Sequence, residues 1–399
     1  TGVSHLAIRE YRNFLERFAG EPQAGEAERR IRYLSSHAPT DPIDQELIDL
    51  LDDLTSESMP ARLKLGKFLF SKRHYDRSIP FLEAASADTA GTNFAEALYV
   101  LGHALNAIDR REELLDPDAP GNRGRILSIF SKLTDTESSW SDDAALVAIE
   151  LKHPGADTAS AQRRADAYDA FLKTHPQSDR IDDARLKKAD TNLFLGRTKP
   201  GLIDLALADY SKVTRSGSSK LVEKAAYGSG RCLALKKDFA AAEDALRDFL
   251  FKYPNSSLGD EARFQLGLIL LERGYLQSAA AEFADLLRAP TSVDLEKSSR
   301  VLLAECYYRL EDFASAIEID ETLLSRGAEA SILKRLGESY SRTGESEKAL
   351  SVLGLYVRKF SNTPGADSLA FRRAELLAQL GRTNQAIEAF DNVSTRYPK

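Results

Sequence analysis

Six histidines, His5, His37, His74, His103, His153 and His175, are the first residues to test for chemistry in this chain of 399 residues. No two of them share a helical turn. No His-Glu-x-x-His or Cys-x-x-Cys spacing gathers ligands for a metal. No Gly-x-Ser-x-Gly elbow is present to raise a nucleophilic serine, and no glycine loop is placed to cradle a phosphate. Gly228-Ser229-Gly230 has two glycines, but they fall inside a helical pattern. No catalytic site, metal or cofactor is expected on these grounds. The informative residues are instead those that recur at a fixed register, so the elements that carry them come next.

The stretch from Lys224 to Ala289 contains one short pattern twice, 37 residues apart. The first copy has Gly230, then Lys237, Ala242 and Phe249; the second has Gly267, then Gly274, Ala279 and Leu286. Taking the middle turn as an anchor, anchors fall at Lys237, Gly274, Glu311, Gly344 and Gly381, in steps of 37, 37, 33 and 37. Seven residues before each anchor stands a small residue: Gly230, Gly267, Ala304, Gly337 and Ala374. Five after it stands an alanine, and twelve after it Phe249, Leu286, Leu323, Tyr356 or Val393. A period in this range is the signature of a solenoid of stacked units, none of which buries its apolar face alone. Each unit reads as a helical hairpin. Its small residue allows close helix approach, and its turn favours glycine because the chain there needs positive φ.

These residues resemble the tetratricopeptide-repeat family, whose unit is 34 residues. The resemblance implies an all-α fold, a right-handed superhelical solenoid of antiparallel helix pairs. Pro254 and Pro398 end second helices as in that family. Tyr253-Pro254-Asn255-Ser256, His175-Pro176-Gln177-Ser178 and Tyr397-Pro398 are similar to repeats of bacterial envelope proteins, such as the barrel-assembly lipoprotein and the Tol–Pal coordinator. That likeness implies a periplasmic location, with a cytoplasmic one as the alternative.

The resemblance also implies that first helices line an inner, concave surface, with the residues ten, six and three before each anchor pointing inward. In the C-terminal part these include Tyr227, Arg231, Phe264, Leu268, Glu305, Tyr308, Lys334, Glu338, Phe371 and Glu375. In the N-terminal part they include Lys67, Tyr99 and His103. Aromatic and charged residues alternate there, as at a peptide-binding groove. Glu305, Glu338 and Glu375 share one register and are expected to form an acidic stripe suited to a basic partner segment, with Arg309 and Arg342 near enough to neutralise it instead. The family's carboxylate-clamping subtype carries Asn six before the anchor; here that place holds Arg231, Leu268, Glu305, Glu338 and Glu375, which argues against a chaperone-tail adaptor.

Along the chain, three parts are expected: repeats over 1–108, an irregular repeat with an insertion over 109–160, and regular repeats over 161–399. Helices are expected at 3–18, 25–35, 43–54, 60–71, 75–86 and 93–107, followed by a loop from Asp109 to Gly124. Thr1-Gly2 with Ala7, Tyr11 and Phe14 aligns with Thr343-Gly344, Ala349, Leu353 and Tyr356. The chain is therefore expected to open at a mid-repeat turn, with half a repeat and any targeting segment or tether upstream. A net charge of −7 argues against a nucleic-acid partner. No run of about 18 apolar residues could span a bilayer. Cys232 and Cys306 sit two repeats apart, and at about 10 Å per helix layer they are beyond disulfide reach, so both are expected as buried free thiols. The function expected is a non-enzymatic scaffold for other proteins in an envelope assembly. The alternatives are a cytoplasmic regulatory adaptor or a module of a larger enzyme or secretion protein.

Overall fold

The computed structural model describes residues 27–31, 59–87, 89, 91, 93–115, 121–136, 138–288, 292–327 and 329–397, and all regular structure among them is helical. The helices expected at 3–18 and 43–54, and Pro398, lie outside the described residues. Residues 27–31 are helical, as read from the sequence.

The chain divides into two compact units, Thr1–Ile181 and Asp182–Lys399. In the first, α1 (Met59–Ser71) pairs with α2 (Tyr75–Ala85), α3 (Phe94–Leu115) with α4 (Arg123–Thr134), and α5 (Ser141–Lys152) with α6 (Thr158–Thr174). The second opens with α7 (Ile181–Leu195) and α8 (Gly201–Ser216), then α9 (Ser219–Leu235) and α10 (Phe239–Lys252), and α11 (Gly259–Glu272) and α12 (Leu276–Leu287). It continues with α13 (Val293–Arg309) and α14 (Phe313–Arg326), α15 (Ala330–Thr343) and α16 (Ser346–Lys359), and α17 (Ala366–Gln379) and α18 (Thr383–Arg396). Nearly every helix packs on the one before and the one after it, the pattern of a helical solenoid.

The register read from the sequence is visible in the backbone. Lys237, Gly274, Glu311, Gly344 and Gly381 all have positive φ, between 62° and 82°, and so does Arg73 at 63°. In each turn the following residue donates its N–H to the carbonyl five residues back, as from Asp238 to Leu233 at 3.0 Å and from Tyr275 to Leu270 at 2.8 Å. This left-handed residue with its long back-bond is how a helix end satisfies its orphan carbonyls. The small residues mark the closest helix crossings. A methyl group on Gly66, Gly230, Gly267 or Gly337 would meet Leu82, Leu246, Phe283 or Leu353 at 2.6–2.8 Å. The alanines Ala242, Ala279, Ala316, Ala349 and Ala386 are all buried, as are Phe249, Leu286, Leu323 and Tyr356; Val393 in α18 is half-buried.

The aromatic-Pro-x-Ser stretches join one hairpin to the next. His175 stacks on Phe171 at 4.6 Å, and Tyr253 lies on Phe249 at 5.4 Å. The serine then accepts from the backbone two residues on, Ser178 from Arg180 at 3.0 Å and Ser256 from Leu258 at 3.0 Å. Its hydroxyl also donates to a carboxylate at the start of the preceding hairpin, Asp142 for Ser178 and Glu223 for Ser256.

One expectation is corrected. The sequence predicts a loop from Asp109 to Gly124, but α3 runs on through Leu115. Residues 110–115 are strong helix formers, and the punctuation begins only at Pro117. Residues 116–120 lie outside the described residues. Asp109 itself is buried and accepts the Asn122 N–H at 2.5 Å, which fixes the entry to α4.

Candidate peptide-binding surface

A face made of first helices requires those helices to lie side by side across successive hairpins. They do so for α1 with α3 in the first unit, and for α9 with α11, α11 with α13 and α13 with α15 in the second. Small residues on the hairpin side of each helix draw it against its own partner. The residues ten before the anchor still reach their own second helix, as Tyr227 reaches Phe249, Phe264 reaches Phe283 and Phe371 reaches Phe390. Arg231 and Leu268, six before it, open onto a groove between first helices.

In the first unit the three candidates are engaged within the chain. Lys67 on α1 pairs with Glu96 on α3. Tyr99 lies 4.5 Å from Trp140 and 4.5 Å from His103, whose ring stands edge-on to Phe130 at 5.4 Å. Burial raises the Tyr99 hydroxyl pKa. Burial, helped by Arg110 and Arg180, lowers that of His103 and favours the neutral imidazole. The His103 Nε2 has no hydrogen-bond partner among the described residues. Asp142, Asp143 and Asp179 lie close enough to share a cation, but Asp142 takes the Ser178 hydroxyl and Asp143 pairs with Arg180 at 3.0 Å.

In the second unit, Arg231, Ala234 and Leu268 line an open groove between α9 and α11. Its remaining walls are Arg197 from the turn after α7, Leu235, Phe239, Gln265, Ile269 and Glu272. The Arg231 guanidinium lies 5.6 Å from the Tyr227 ring, a cation–π contact that steadies it. Burial raises the Tyr227 pKa. Phe264 packs on Phe283 at 5.9 Å and contributes to the core.

Farther along, Glu305, Tyr308 and Glu338 do come together, but each carboxylate has a partner in the chain. Glu305 accepts from Arg335 at 3.2 Å, and Glu338 accepts the Tyr308 hydroxyl at 2.7 Å. Glu375 pairs with Arg372 at 3.1 Å. Arg335 and Arg372 do what was expected of Arg309 and Arg342. Burial and the bond to Glu338 push the Tyr308 hydroxyl up to about 12. Phe371 is 47% exposed and touches Phe390 at 5.3 Å. Lys334 is exposed and makes no ion pair among the described residues.

Sequence reasoning missed three participants. Arg197 lies outside the repeat register, in a widened turn. Gln265 and Arg335 both stand nine before an anchor, a position the repeat pattern did not single out. Arg335 reaches past Glu305 to Asp320, bonding it at 2.6 and 2.8 Å, and both residues of that pair are buried.

Stacked hairpins with this turn and packing register define the class of helical repeat solenoids. Residues 201–257 and 264–331 match one tetratricopeptide-repeat model and residues 367–399 another, so the chain carries tetratricopeptide repeats. Repeats of this family mark a protein–protein interaction scaffold and are typically non-catalytic. Among solved structures, a tetratricopeptide repeat protein from Parabacteroides merdae is 13% identical, with 64% of this chain and 94% of that one covered and a TM-score of 0.42. A signal transduction ATPase with numerous domains from Pyrococcus horikoshii, which has a tetratricopeptide repeat sensor, is 14% identical. The match covers 88% of this chain and 55% of that one, with a TM-score of 0.51, a likeness of fold. No curated protein sequence matches. No described helix is long and apolar enough to cross a membrane.

Proposed function

We propose that this protein is a non-enzymatic scaffold that binds segments of partner proteins along the concave face formed by its first helices, in a bacterial envelope assembly. The observation that carries the reading is the open groove between α9 and α11, lined by residues from the inward register. A groove with an apolar floor and a few charged side chains at its rim suits an extended or helical peptide. The glutamate register lends less support than the sequence suggested, because Arg335, Tyr308 and Arg372 already occupy its carboxylates. The envelope location rests on the Tyr-Pro-x-Ser likeness alone. Fractionation of the source cell with an antibody to the native protein tests it, and a purely cytoplasmic signal would overturn it.

The binding face is tested by selecting a random dodecapeptide display library on the full chain. Selected peptides are expected to lose binding to Leu268→Asp, on the first-helix face. They should keep it with Phe251→Ser, which alters the 86% exposed Phe251 on second helix α10. The reverse pattern, or no enrichment, would overturn the scaffold reading.

A further inference from the structure

We infer that the groove between α9 and α11 receives an internal acidic segment of a partner protein: a side-chain carboxylate on Arg197 and Arg231, and a neighbouring apolar side chain on Leu235, Phe239 and Leu268. This rests on the scaffold reading and specifies the partner's chemistry.

The argument starts from unused charge. The chain as a whole is acidic, with a net charge of −7. Other arginines of the same hairpins are paired: Arg247 and Arg273 with Glu243, and Arg263 with Glu282. Arg197 and Arg231, by contrast, make no ion pair among the described residues, although both line the groove. Asp190, whose carboxylate feels the Arg231 charge, already accepts the Tyr210 hydroxyl at 2.5 Å. Arg231 is half-buried and braced on Tyr227, so little side-chain freedom is lost when a ligand arrives. A guanidinium offers a planar fork of donors that matches a carboxylate, and it desolvates more readily than an ammonium.

The same groove supplies apolar surface. Leu235 is exposed, Phe239 and Leu268 are half-buried, and all three lie among its walls. Exposed apolar side chains beside unpaired cations match a ligand that carries both features, which a free inorganic anion does not. Glu272 stands exposed in the groove wall and pairs with neither arginine. It repels a second carboxylate there and so sets the direction in which an acidic segment lies. A nucleic acid, with charge along its whole length, would meet that glutamate and the acidic chain around it.

The test uses two fluorescein-labelled ten-residue peptides, acetylated and amidated so that neither has a charged terminus. One has a central Asp-Leu-Glu with neutral flanks; the other has Lys-Leu-Lys in the same place. Anisotropy with the full chain should show binding of the acidic peptide, weakening with salt, and little binding of the basic one. Arg231→Glu and Arg197→Glu together should weaken the acidic peptide by about tenfold or more and improve the basic one. Arg197→Gln alone alters only an exposed turn residue and keeps the fold, so it should still show a partial loss. Equal binding of both peptides, or no response to either variant, would overturn the inference. Binding only by a version with a free C-terminus would do so as well, since the terminal carboxylate and not an internal side chain would then be recognised. If library peptides map to the first-helix face without acidic preference, the acidic specificity fails while the scaffold reading stands. If none maps there, both fail.

Discussion

A methyl group on Gly267 would sit 2.6 Å from Phe283, whose ring is fully buried in the core shared by α10–α13. The ring cannot yield without moving a helix. Gly267→Ala should therefore destabilise by about 1–3 kcal/mol through overpacking, read as a lower urea midpoint. A midpoint equal to wild type would mean that this crossing is not the tight one. The two thiols belong to the same scale. Cys232 and Cys306 are free and buried, and burial pushes their pKa values up to about 12 and about 11 from 9.0. Both should label slowly with a thiol reagent at neutral pH and rapidly after denaturation. Because the folded values are raised, the stability linked to these thiols is present below pH 9 and is lost as pH rises through 11 to 12. Cys232→Ala should flatten that alkaline loss in pH-dependent melts; an unchanged slope would assign the loss to other groups.

At the scale of the element, the turns explain why the repeat tolerates both glycine and long side chains at its anchor. Every anchor is left-handed, yet Arg73, Lys237 and Glu311 carry a Cβ into that region. A residue other than glycine there costs roughly 1–2 kcal/mol. Glycine recovers this but loses about 0.5–1 kcal/mol to chain entropy. Lys237→Gly and Glu311→Gly should thus stabilise slightly, by up to about 1 kcal/mol. Gly344→Val should destabilise, since its φ of 82° is an outlier for a β-branched residue. Thermal melts check both signs, and a destabilised Lys237→Gly would show that the lysine stem contributes packing beyond the turn.

At the scale of the whole molecule, hairpins are coupled through their stacking surfaces, and one of those surfaces is polar. Where other hairpins place Leu246, Phe283 or Leu353 against the small residue, the α13–α14 hairpin has Asp320, fully buried and clasped by Arg335 of the next hairpin. Two carboxylates, Asp320 and Glu305, hold Arg335 protonated. Burial pushes the Asp320 pKa up against the pull of that guanidinium. Removing Asp320 leaves the buried guanidinium with only the half-exposed Glu305, so Asp320→Ala should cost about 3 kcal/mol, the low end for a broken buried pair. Asp320→Leu combined with Arg335→Met should recover much of it. Hydrogen exchange should place the loss in α13–α16, because a solenoid transmits its stability between neighbours. If the double variant is as unstable as Asp320→Ala, the pair provides packing that hydrophobic side chains do not replace.

Much of this was legible from the sequence. The period of glycine and alanine predicted the last five hairpins, the left-handed residues at their five anchors and the close crossings at Gly230, Gly267 and Gly337, because those depend on a residue's own size and backbone freedom and on its nearest helix. The cysteines' burial followed from the same register. Other features depended on what stands across from a residue. The helical run past Asp109 has formers enough to continue through Leu115, although loop punctuation from Pro117 onward dominates the local sequence. Glu305 and Glu338 lie on neighbouring first helices, but only the fold brought Arg335 to Glu305 and Tyr308 to Glu338. The pairing of Asp320 with Arg335, and the lack of an ion pair for Arg197 and Arg231 among the described residues, arise between separate helices and not within one. Charge compensation is a property of neighbours in space. The amino-acid sequence determined where the helices turn and touch, and the tertiary structure decided which charges pair with one another.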